Sequence, residues 1–105
     1  MPTASLTVKL SGRWGLPEVQ RELARGPIDV DLPDDVTGEG LLRCLADRLG
    51  SRFQRKALKA DGKLRAEVRL FVGNGAIEDP GAIVGDRLRH GGEVSVVLLT
   101  PLVGG

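Results

Sequence analysis

The chain is 105 residues long, with 41% hydrophobic residues, the size and apolar content of one domain with its own core, so a multidomain enzyme and a disordered chain are both excluded. Lys and Arg total 15 against 14 Asp and Glu, a net charge of +1, which gives no global field to hold nucleic acid or an anionic membrane. Aromatic residues make up 3%, too few for a base-stacking surface.

A lone cysteine, Cys44, has no partner for an internal disulfide, and His90 is the only histidine, so no zinc-ligand set can be assembled. The amino-terminal residues lack the cationic start and apolar run of a secretory signal, and nowhere do 18 apolar residues follow one another. The expectation is a soluble cytoplasmic domain with no membrane and no nucleic-acid partner.

In chain order, Leu6, Val8 and Leu10 alternate with Thr7, Lys9 and Ser11, the period of a half-buried strand. Between Gly12 and Gly26, Gly15 and Pro17 interrupt an irregular set of apolar residues, and the expectation is a loop with at most one helical turn. Ile28, Val30 and Leu32 alternate with Asp29 and Asp31 until Pro33 stops the second strand. Thr37 is placed to cap a helix with Glu39 in its first turn. Leu41, Leu42, Leu45, Ala46 and Leu49 form its apolar stripe, and Gly50 closes it.

The basic stretch from Ser51 to Arg65 predicts a short irregular helix and a turn at Asp61-Gly62. Its Arg52, Arg55, Lys56 and Lys59 read as a solvated face. Val68, Leu70 and Val72 alternate with Arg69 and Phe71 in a third strand, with Asn74-Gly75 as a turn. A brief edge strand over Ala76 to Glu78, a turn at Asp79-Pro80-Gly81 and a loop with a helical turn at Val84 to Leu88 follow. In the last strand Val94, Val96 and Leu98 share one face, and Ser95, Val97 and Leu99 the other.

These elements predict an α+β fold, a mixed sheet of four to five strands with one main helix packed on one face. A helix between the second and third strands, with a last strand returning to the middle of the sheet, matches the ubiquitin-like β-grasp. Residues 1–99 form the domain and 100–105 a flexible tail ending in Gly104-Gly105.

The chemistry is expected in that tail. A glycine pair passes through channels too narrow for a side chain, and six residues from Thr100 reach about 20 Å when extended. The α-carboxylate is ionised at neutral pH, with a pKa of about 3.5, and is a poor electrophile until adenylated. No Gly-rich run precedes a Lys-Ser or Lys-Thr pair, so a separate protein must bind the nucleotide. Cys44 reads as a partly buried thiol without a base, and His90 as a surface turn residue with no Ser or Asp partner. No catalytic residue is expected in the domain.

Several segments resemble the small sulfur carriers: the small subunit of molybdopterin synthase, the thiamine thiazole sulfur carrier, and the carrier of an alternative cysteine synthesis. They are Leu32-Pro33-Asp34 with the Leu-rich helix after it, Asp61-Gly62-Lys63-Leu64-Arg65, Glu67 through Gly75, and Leu88 through Val97 running on to Gly104-Gly105. Family members often carry Asp-Gly-Asp-Glu where this chain has His90-Gly91-Gly92-Glu93, and a small residue where it has Val103. The length from Arg52 to Arg65 looks more like the molybdopterin and cysteine types than the thiazole carrier.

The resemblance implies that an E1-like enzyme, using ATP and magnesium, adenylates Gly105. Sulfur from a persulfide protein then replaces AMP to give a thiocarboxylate, which a sulfur-accepting synthase consumes. Gly104, Val103 and Leu102 are the residues expected along the activating enzyme's groove, and no cofactor or metal is expected on the carrier itself. Phe71, Val97 and Leu99, apolar on the outward face, are the candidate partner patch. Two other roles fit the same residues: a ubiquitin-like modifier joined through Gly105 to lysines, and a non-covalent interaction module.

Overall fold

The computed structural model describes residues 3–73, 75–88 and 92–99. Their elements are β1 (Thr3–Gly12), α1 (Pro17–Ala24), β2 (Ile28–Asp31), α2 (Gly38–Leu49), α3 (Ser51–Ala57), β3 (Val68–Val72), β4 (Gly75–Ala76), a 3-10 turn (Gly85–Leu88) and β5 (Gly92–Leu98). The sheet order is β2-β1-β5-β3-β4. β5 lies parallel to β1 from Leu6 opposite Gly92 to Gly12 opposite Leu98, while its other neighbour, β3, is antiparallel. A central last strand and a helical crossover between the second and third strands define the ubiquitin-like β-grasp.

Alternation decides the faces. Ala4, Leu6 and Val8 of β1, Val68, Leu70 and Val72 of β3, and Val94 and Val96 of β5 are buried, whereas Ser5, Thr7, Lys9 and Arg69 are exposed. Against this apolar face α2 places Leu41, Leu42 and Leu45, each fully buried. Removing one such Leu side chain from water contributes about 1.5–3 kcal/mol. The cap forms as the sequence expects: Thr37 Oγ1 accepts from the Gly40 amide at 3.0 Å. The loop after β4 completes it, the Gly38 and Glu39 amides donating to the Ala82 and Pro80 carbonyls at 3.2 and 2.9 Å. Most of the otherwise unpaired donors of the helix start are thereby satisfied.

One helix adds to those expected, and the short helix expected after α2 forms as α3. The Gly12 to Gly26 segment is not a loop: it forms the eight-residue α1. Its supposed breakers are start signals, since Pro17 occupies the first turn, where its missing N–H costs nothing. Val19 turns inward and is buried, and Leu23 packs on the core. α3 buries Phe53 and Ala57, and Phe53 stacks on Trp14 with ring centroids 5.4 Å apart. The edge strand is shorter than expected, with only Gly75 and Ala76 paired to Val72 and Phe71. Asn74 lies outside the described residues.

Candidate functional site

The candidate site begins where β5 ends. Leu98 is the last strand residue, and the Leu99 amide donates to the Glu67 carbonyl at 2.7 Å, fixing the chain just before Thr100. Leu102, Val103, Gly104 and Gly105 lie outside the described residues, as do His90 and Gly91.

The outward sheet face carries two of the three candidate patch residues. Phe71 pairs with Ser95 and Arg69 with Val97 across β3 and β5, which makes Phe71 and Val97 diagonal neighbours within side-chain reach. Both are half-buried. The Arg69 guanidinium folds back to donate to the Ala66 carbonyl at 2.7 Å. On the far side of β5, Lys9 and Glu93 form an exposed 3.2 Å ion pair, and Ser5, Thr7 and Ser11 are small and polar. The apolar spot is therefore confined to the β3–β5 seam.

Leu99, 43% exposed, also borders a cleft of about 470 Å³ with Leu98. Leu98 shares the face of Val94 and Val96, as the alternation predicts, and packs against the core. It is half-buried, because the cleft opens against it. Arg13 from the turn after β1, Arg55 and Lys56 from α3, and Arg65 and Glu67 from the approach to β3 complete the lining. Arg65 Nε donates to the Arg55 carbonyl at 2.7 Å, tying the two segments together.

The basic stretch after α2 is thus divided. Arg52 pairs with Glu18 at 3.1 Å, while Arg55, Lys56 and Arg65 converge on the cleft. Sequence reasoning missed this grouping because Arg13 lies more than forty residues upstream of Arg55 and only the fold joins them. It also missed the second role of Glu39, whose carboxylate accepts from the Leu64 amide at 2.9 Å and anchors the turn that delivers Arg65.

Cys44, half-buried on α2, lines a separate cavity with Asp29, Asp31 and Asp47. Burial, then the charge of Asp47, pushes its thiol above the ordinary range, against a smaller lowering by Arg43. The neutral thiol is favoured, the opposite of an activated nucleophile. Among the described residues no cluster of His, Cys, Asp and Glu could hold a metal ion, and no helix is long and apolar enough to cross a membrane.

The architecture is that of small ubiquitin-like proteins. A crystal structure of small archaeal modifier protein 1 from Haloferax volcanii matches over 92% of this chain and 99% of its own, with a TM-score of 0.66 and 20% identity. The solution structure of the H. volcanii HVO 2177 protein matches over 99% and 89%, with a TM-score of 0.62 and 22% identity. Mycobacterium tuberculosis CysO, described as an antigen, matches over 89% and 99%, with a TM-score of 0.51 and 18% identity. These likenesses show the fold. No protein-family model and no curated protein matches the sequence.

Proposed function

We propose that the chain is a sulfur carrier whose working group is the α-carboxyl of Gly105. The observation that carries this reading is a Gly104-Gly105 end six residues beyond Leu99, following the central strand of a ubiquitin-like fold. The carboxylate attacks the α-phosphate of ATP held by an E1-like enzyme and releases pyrophosphate. A persulfide sulfur then attacks the acyl-adenylate and expels AMP, and a thiol cleaves the acyl disulfide so formed to free the thiocarboxylate. A sulfur-accepting synthase takes the sulfur, and the domain serves as cosubstrate rather than as enzyme. Gly104 admits the terminus to the adenylation site, while Val103 and Leu102 rest along the partner's groove.

Intact mass after incubation with the host's activating enzyme, ATP, magnesium and a sulfur source tests this. One oxygen is exchanged for sulfur in the full chain and not in a chain lacking Gly105. An unchanged mass with an active enzyme overturns the reading. The naming of the similar Haloferax protein as a modifier favours one alternative, in which the same activated Gly105 acylates lysines. Adducts on other proteins, without the sulfur exchange, distinguish it.

A further inference from the structure

The cleft beside Leu99 joins two features that a solvated basic face does not combine. Its apolar part is Leu98 and Leu99, and Leu99 is one of two large hydrophobic side chains left exposed among the described residues. Around them stand Arg13, Arg55, Lys56 and Arg65, with Glu67 as the single carboxylate of the lining. None of the four cations forms an ion pair among the described residues, where Lys9, Arg25 and Arg52 are the cations that do. In a protein of net charge +1, the lining thus sets four cations against one carboxylate in a single cleft beside Leu99.

From this we propose that the cleft is a docking site for an acidic, apolar-anchored peptide segment of the enzyme that activates the tail. An apolar side chain of that segment packs on Leu98 and Leu99, and flanking carboxylates meet Arg55, Lys56 and Arg13. The inference rests on the proposed activation of Gly105 for its choice of partner. Charge complementarity carries it, together with position: whatever holds the terminus of the six residues after Leu99 must lie within about 20 Å of this cleft. Such a contact acts chiefly on encounter and affinity, steering the partner without touching the reacting carboxyl.

The test combines the double substitution Arg55→Glu, Lys56→Glu with the control Arg21→Glu, Arg25→Glu. The control makes the same change of net charge on the last turn and C-cap of α1, outside the cleft. All four side chains are exposed, and thermal melts verify that both variants fold. In pyrophosphate exchange with the activating enzyme, the cleft variant is expected to raise KM by about tenfold, with kcat kept and the salt dependence of KM flattened. The control stays near wild type. Equal KM changes in the two variants, or a wild-type KM in the cleft variant, overturn the proposal.

A direct titration separates this failure from that of the proposed function. An end-blocked synthetic peptide Glu-Leu-Asp-Leu-Glu is added to the isotope-labelled full chain. The expected result is amide shifts at Arg13, Arg55, Lys56, Leu98 and Leu99 that vanish in the cleft variant, whether or not Gly105 is ever adenylated. No shift at these residues overturns the proposal. So does displacement of the peptide by equimolar inorganic phosphate, which would make this a small-anion site, or tighter peptide binding after removal of residues 100–105, which would assign the cleft to the chain's own tail.

Discussion

The Leu99 amide and the Glu67 carbonyl form a 2.7 Å hydrogen bond one residue beyond the end of β5, so antiparallel pairing with the β3 side continues past the strand itself. The bond fixes the chain at the residue just before Thr100. Leu99→Pro removes the donor while keeping an extended backbone before it. The expected loss is about 1 kcal/mol of unfolding free energy, seen as a lower denaturant midpoint at constant slope. Leu99→Ala, which keeps the amide, should retain slow hydrogen exchange at position 99. A proline variant as stable as the alanine variant would contradict this.

Gly12 is the β1 residue opposite Leu98 in the parallel pairing, and its φ of +99° lies where side chains are strained. A Cβ there would fall well inside contact distance of the Leu98 carbonyl oxygen, a backbone atom that cannot swing aside. Gly12→Ala should therefore cost about 2–3 kcal/mol, strain and displacement together. Gly26, at φ +129° with nothing near its position, provides the comparison. There alanine meets only the backbone strain, about 1 kcal/mol. Equal losses from the two substitutions in urea unfolding would contradict the assigned contact.

Strand alternation and the Leu stripe of α2 made the sheet and its covering helix legible, because each is a local pattern with one dominant period. The Thr37 cap was legible for the same reason. α1 was not, since Gly15 and Pro17 read as breakers until Trp14 and Leu16, both buried, are seen anchoring the approach to it. The Trp14–Phe53 stack and the meeting of Arg13 with Arg55 and Lys56 depend on how α3 packs beside the end of β1, which no local spacing encodes. Of the candidate site, the Gly-Gly end and the Phe71–Val97 pair were visible as motif and alternation, and the cleft between distant segments was not.

Cys44 supplies a pH-dependent readout. Its thiol is held above the ordinary range first by burial and then by Asp47, with Asp31 adding to the effect. At neutral pH the native protein should react with iodoacetamide more slowly than the unfolded chain, and the rate should rise with a midpoint above that of a free cysteine. Because the folded pKa is the higher one, the associated stability is present below the unfolded thiol's pKa and is lost as pH climbs through the folded value. Asp47→Asn should move the alkylation midpoint downward. An unchanged midpoint would remove Asp47 as a cause.

The Phe71–Val97 seam offers a functional test independent of the cleft. The two side chains are half-buried diagonal neighbours on the outward face, flanked by Arg69 opposite Val97, by small polar residues and by one exposed ion pair. A partner covering them would gain about 25 cal/mol for each Å² of apolar surface removed from water. Placing a carboxylate there would oppose that burial. Phe71→Glu and Val97→Glu are therefore expected to lower the rate of Gly105 activation at limiting enzyme by about tenfold or more. Thr7→Glu on β1 introduces the same charge on the same face, away from the seam, and should have little effect. Melting temperatures separate a lost contact from a lost fold, and a half-buried residue that tolerates the charge with full activation would show that no activating partner covers the seam.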